Sequence, residues 1–134
     1  LGEYIAMEAL ESMYVQNDLV LPNGICVIVD SEQAFIVGVV LTDENKAMKF
    51  AKENNIEGAY PSILDSVDFR SKALASLGKT AKDNGKKPFE MFKDVRFYSD
   101  EWTPENGILT AAMKLNRREI DAKYAADIKT MFGK

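Results

Sequence analysis

The residues best suited to chemistry lie near the end of the chain, in Asn106-Gly-Ile-Leu-Thr-Ala-Ala-Met-Lys-Leu-Asn-Arg-Arg118. A turn signal and a short apolar run lead into three cations, Lys114, Arg117 and Arg118. They fall where a helix begins, and the partial positive charge of a helix start favours Asp or Glu instead. One reading is a solvated basic face, with Glu119 and Asp121 supplying the expected negative charge. The other begins with Lys114, which precedes the helix at the end of a turn-closed segment and can reach out from a loop edge. A lysine there suits a phosphate-bearing ligand, because its ammonium is a compact charge on a flexible stem. When a nucleophile attacks phosphorus, negative charge spreads over the non-bridging oxygens. A positioned cation then stabilises the transition state more than the ground state. Residue types alone leave both readings open.

Other chemistries are narrowed by what the chain lacks. There is no histidine, which removes the Ser-His-Asp triad, the Cys-His pair and His-ligated metals. The single cysteine, Cys26, sits in the apolar run ICVIV and reads as a small buried hydrophobe. One cysteine makes no internal disulfide, so nothing points to an oxidising compartment. The carboxylates are scattered without a metal-loop pattern, so no metal site is expected. Residues 78–82, GKTAK, lack the upstream glycine and the preceding strand of a phosphate-binding loop. A net charge of −4 argues against a nucleic-acid partner. No segment approaches the ~20 apolar residues of a membrane span, and no signal peptide is visible.

The positioning elements follow from periodicity. Met7, Leu10 and Tyr14 share one face of a helix over 6–15, with Glu8 and Glu11 outward. A β-branched strand, 25–30, is joined through the four residues 30–33 to a second strand, 34–41, which predicts a hairpin. The second strand is apolar on both faces, so it should be central and covered on both sides. Gly38 in its middle suggests close approach by another element. Thr42 or Asp43 caps a helix over about 43–54. Residues 62–83 read as helical, with a break suggested at Gly78. PFEMF, 88–92, reads as a turn or short helix, and 95–99 as a third strand. A final helix from about Arg117 carries an apolar stripe of Ile120, Tyr124, Ile128 and Met131. The 134 residues predict one α+β domain, a small mixed sheet with one hairpin flanked by helices and ending in an amphipathic helix. The chain opens on LGEYIAMEALE without an initiator Met, which reads as a piece of a larger protein.

NGILTAAMKLNRREI resembles the closing motif of long-chain fatty-acyl-CoA synthetases, which belong to the adenylate-forming enzymes. LGEYIAMEALESMY resembles the start of their small C-terminal domain, and AFIVGVVLT, ASLGKTAK and FEMFKDVRFYSDEWTPENG fit between in the same order. The resemblance implies that residues 1–134 are the mobile C-terminal lid of an enzyme whose large N-terminal ATP- and acyl-binding domain lies elsewhere. It implies a fatty acid activated with Mg-ATP to acyl-AMP and then passed to CoA, the lid rotating between two orientations. ATP with Mg and CoA are then substrates at the domain interface, with nothing held tightly by this domain and no activity from it alone. By the same resemblance Lys114 serves adenylation, Gly2, Glu3 and Tyr4 form the loop presented for thioesterification, and Arg117 and Arg118 give support or domain contacts. From its residue type alone, Gly2 equally fits a turn before the helix. Localisation is expected to be cytoplasmic, any membrane association being peripheral and through the rest of the protein.

The chain also departs from the family pattern. Ala111-Ala112 stands where Pro-Thr is usual, Asn116 where a second lysine is common, and Met7 where Pro is frequent. Without Pro and Thr the lysine loop is expected to lose stiffness. That loss motivates the alternative, a non-catalytic interaction or regulatory module with the same fold.

Overall fold

The computed structural model describes residues 5–134. Three strands form one mixed sheet in the order β1-β2-β3: β1 is Ile25–Ile28, β2 is Ile36–Leu41 and β3 is Phe92–Tyr98. The first two pair antiparallel, with Val27 opposite Gly38. β3 pairs parallel to β2, with Val95 opposite Gly38. A parallel neighbour requires a crossover, and the chain makes it through α2 (Glu44–Glu53) and α3 (Val67–Asp83). The hairpin link is longer than the four residues expected. Pairing ends at Ile28 because Val29 turns out to solvent and Asp30 opens a turn, its Oδ1 accepting from Glu32 N at 2.8 Å and its carbonyl from Gln33 N at 2.9 Å.

Every residue of β2 is buried, so this strand must be covered on both faces. Its period-2 side chains divide between two cores. Ile36 and Val40 join Ile25 and Val27 beneath α1 (Met7–Tyr14) and α3. Val37, Val39 and Leu41 join Cys26 and Ile28 on the other face. There they meet Trp102, Ile108, Leu109, and the helices α4 (Arg117–Lys123) and α5 (Ala125–Met131).

Gly38 is the close approach its position suggested. A Cβ there would stand 2.8 Å from Cε1 of Phe92. That ring cannot swing aside, since it is buried and stacked on Tyr14 with centroids 4.5 Å apart.

Two helix expectations are corrected. α3 runs unbroken through Gly78, because Phe69, Ala73, Leu77 and Ala81 keep a buried stripe on either side of it. The interruption falls earlier, where a 3-10 turn (Ser62–Asp65) gives way to Ser66, whose Oγ caps the helix by accepting from Phe69 N at 3.0 Å. The final helix, expected to be continuous, breaks at Tyr124 with φ −108° and ψ 22°. The Tyr124 hydroxyl donates to Asp100 at 2.7 Å and accepts from Trp102 Nε1 at 2.9 Å. These tertiary bonds tie the ring to the β3–α4 connection and compete with helical backbone at that residue.

Gly38→Ala is expected to destabilise the chain by about 1–3 kcal/mol, the cost typical of overpacking. The measurement is the urea midpoint. Combined with Phe92→Leu, the loss should fall short of the two single losses added together. Strict additivity would show that the ring is not what excludes a side chain from position 38.

Candidate functional site

Lys114 stands on a short hairpin rather than on a helix flank. Leu109 and Leu115 bridge antiparallel, and Asn116 N donates to the Ile108 carbonyl at 2.8 Å. Closer to the tip, Thr110 N donates to the Lys114 carbonyl at 2.7 Å, and Met113 N to the Thr110 carbonyl at 2.9 Å. The base is anchored in the core through buried Ile108 and Leu109. Asn106 braces the turn before it, its Oδ1 accepting from Thr103 N and Ile108 N while its Nδ2 donates to the Glu101 carbonyl at 2.8 Å.

The stiffness that Ala111-Ala112 was expected to lose is supplied one residue earlier. Thr110 Oγ1 accepts from Lys114 N at 3.2 Å, closing a local turn onto the lysine's own backbone. Met113 adopts the left-handed conformation, φ +64°, at the tip. Such a backbone is uncommon for a residue with a Cβ, and here it turns the chain so that Lys114 rejoins the hairpin. The side chain of Lys114 is exposed and, among the described residues, forms no ion pair or side-chain hydrogen bond.

Arg117 takes a different course. Its Nη2 lies 2.7 Å from Glu11 Oε1 and its Nη1 2.8 Å from Glu11 Oε2, a two-pronged ion pair between the start of α4 and α1. Glu11 was expected to face solvent. It is buried, 7% exposed, and its Oε2 also accepts from Val27 N at 2.7 Å. Val27 is in β1, an edge strand of the sheet, so this amide would otherwise lack a partner. One carboxylate thus ties α1, β1 and α4 together. The offset for a cation at a helix start comes chiefly from α1, not from Glu119 and Asp121 alone. Hydrogen bonding to Glu11 holds the guanidinium still more firmly in its charged form.

Beneath this pair, Arg117 Nη1 lies 3.6 Å from Cys26 Sγ. Burial, reinforced by the neighbouring Glu11 carboxylate, pushes the thiol up to about 12. Cys26 is therefore the buried neutral side chain expected, not a nucleophile. Arg118 is exposed and joins no ion pair among the described residues. Gly2, Glu3 and Tyr4 lie outside the described residues. Lys114 and Arg117 share a hollow of about 250 Å³ against α1, with Glu8 and Glu11 on the facing wall. Among the described residues no group of three or more His, Cys, Asp or Glu is gathered for a metal ion, and no helix is long and apolar enough to cross a membrane.

Sequence reasoning missed Glu11, though a signal was present. Met7, Glu11 and Tyr14 are spaced i, i+4, i+7, so the glutamate lies on the apolar stripe itself. A carboxylate there requires a cationic partner.

Thr110→Val is expected to loosen the hairpin without disturbing the fold. Losing this acceptor costs about 0.5–1.5 kcal/mol and should read out as faster amide exchange at Lys114. Thr110→Ser should restore protection. Unchanged exchange in the valine variant would show that the hydroxyl does not hold the loop.

Comparison with known proteins places this geometry. No family model matches the chain. Long-chain-fatty-acid–CoA ligase 3 of Saccharomyces cerevisiae is 35% identical over 134 residues, covering 98% of this chain and 19% of the relative. Human long-chain-fatty-acid–CoA ligase 6 is 30% identical over 131 residues, with 98% and 18% covered. Among solved structures, the adenylation domain of carboxylic acid reductase from Segniliparus rugosus, in complex with AMP and a co-purified carboxylic acid, superposes with a TM-score of 0.77 and 26% identity. That match covers 98% of this chain and 18% of the other. The corresponding Mycobacterium chelonae domain shares the fold with a TM-score of 0.78 at 23% identity, over 99% of this chain and 18% of the other. The chain is similar to the long-chain-fatty-acid–CoA ligases across almost its whole length and spans under a fifth of theirs.

Proposed function

We propose that this chain is the C-terminal lid of an AMP-forming long-chain fatty acid–CoA ligase, and that Lys114 is its adenylation lysine. In the first step a fatty-acid carboxylate oxygen attacks the α-phosphorus of Mg-ATP, forming acyl-AMP and releasing pyrophosphate. In the second, the CoA thiol attacks the acyl carbonyl and AMP leaves. The partner of this domain is then the larger remainder of the same protein, which carries the ATP and acyl pockets. Mg accompanies ATP there.

The observation that carries this reading is the mounting of Lys114. A cation on a pinned hairpin, exposed and without an ion-pair partner among the described residues, is available to a ligand brought by another domain. Delivered between the carboxylate and the α-phosphate, its charge would offset the repulsion of two anions and stabilise the developing negative charge. The segment Gly2, Glu3 and Tyr4 is assigned to thioesterification on the same reading, and Arg118 to contact with the larger domain. The alternative of a non-catalytic module drew on Ala111-Ala112. Thr110 supplies the anchoring whose loss motivated it.

The test uses the parent enzyme. Lys114→Ala should lower acyl-AMP formation, followed by pyrophosphate exchange, by about 10²–10³-fold, the range for removing one electrostatic stabiliser. CoA thioester formation from supplied acyl-AMP should stay within a few-fold. Equal loss of both half-reactions would sink the assigned role. A parent protein with neither activity would favour the interaction module.

A further inference from the structure

We propose that Glu11 and Arg117 are positioning residues for Lys114, their ion pair fixing the direction in which the lysine hairpin leaves the domain. This rests on the reading of Lys114 as the adenylation lysine.

The path from Lys114 to Arg117 contains no free joint. Leu115 is bridged to Leu109. Asn116 donates its backbone N–H to the Ile108 carbonyl and its Nδ2 to the Gly107 carbonyl at 3.2 Å, while its Oδ1 caps α4 by accepting from Glu119 N. The orientation of the hairpin is therefore the orientation of the first turn of α4. That turn is set against α1 by Arg117, through two parallel bonds of 2.7 and 2.8 Å. A forked guanidinium–carboxylate contact fixes an angle, whereas a single point contact fixes only a distance. Glu11 cannot drift either, being buried and held by Val27 N–H.

The pair does more than packing would require. Apolar side chains of similar size can match a buried ion pair for stability, but they do not impose one geometry. This pair also sets the walls of the hollow that Lys114 and Met113 share with α1. The lysine is thereby referred to α1, the helix that follows directly on the residues assigned to thioesterification.

Two substitutions separate positioning from stability. Glu11→Gln keeps shape and an acceptor for Val27 N–H but removes the charge. Arg117→Lys keeps the charge but removes the fork, and it carries the same comparison if the glutamine variant does not fold. In the parent enzyme each should slow acyl-AMP formation at least 10-fold in kcat, with thioester formation from supplied acyl-AMP within two-fold, out of proportion to any fall in melting temperature. Arg117→Met should be slower than Arg117→Lys. In this 134-residue chain, Cys26 provides an independent readout, since its thiol lies beneath Arg117 and is 1% exposed. Native-state alkylation of Cys26 should accelerate at least 10-fold in both variants. Losses in both half-reactions that track the melting temperature would reduce the pair to a structural contact and overturn the proposal. Unchanged acyl-AMP formation beside an inactive Lys114→Ala would overturn it too. If Lys114→Ala itself retains acyl-AMP formation, the reading of Lys114 is what has failed, and faster Cys26 alkylation would still show that the pair holds the junction.

Discussion

The constraint on which the rest depends is that β2 has no polar face. All six of its residues are buried, so a single layer of helices would leave half of them in water. At about 25 cal/mol per Å² of apolar surface, exposing even Val37, Val39 and Leu41 would cost several kcal/mol. The chain therefore needs a second layer, and it builds one from the β3–α4 connection together with α4 and α5. This requirement places the lysine hairpin. Ile108 and Leu109 are drawn into the core that Val37, Val39 and Leu41 form on that face, and the next residues must leave it. The root of the loop is part of the core.

The same layering explains the break at Tyr124. A straight helix from Arg117 to Met131 would serve the apolar stripe, yet Tyr124 also bonds Asp100 and Trp102. Its ring packs on Tyr98 at 4.4 Å, and Tyr98 in turn donates to Asp127 at 2.6 Å. A buried phenol needs hydrogen-bond partners, and those of Tyr124 are fixed to the loop that follows β3. Burial, with bonding to those carboxylates, raises both tyrosines above their ordinary range. Helical continuity yields to tertiary hydrogen bonds because one non-helical residue costs less than a buried polar atom left unpaired.

Much of this was legible in the sequence. The two-faced β2, its hairpin with β1, the tight approach at Gly38 and the separation of Lys114 from the helix after it all follow from residue type and period. Less legible were features decided between distant segments. Gly78 reads locally as a breaker, but the apolar spacing across it outweighs a penalty of about 1 kcal/mol. Glu11 reads as an outward carboxylate when only Met7, Leu10 and Tyr14 are counted, although it shares their stripe. Arg117 looks misplaced while only its own helix is considered. Each of these two residues alone breaks a local rule, and the pair, 106 positions apart, satisfies both.

Under the function proposed above, a domain that brings one charge to a reaction must solve two problems, and the structure divides them between neighbouring cations. A lysine that reaches into another domain's site must keep its ammonium unneutralised, so it cannot gain its geometry from an ion pair. Its backbone must be held instead, through Thr110 Oγ1, the Leu109–Leu115 bridge and the Asn116 cap. Arg117, three residues on, can be neutralised without loss, and it spends its charge on orientation. Breaking such a pair on one side costs about 3–5 kcal/mol when the remaining charge is buried, and Glu11 is the buried partner. The arrangement resists the small rotations that would misdirect a side chain as long as lysine. In the proposed adenylation, where displacements near 1 Å are felt in the rate, fixing the root of the lysine would matter as much as its charge.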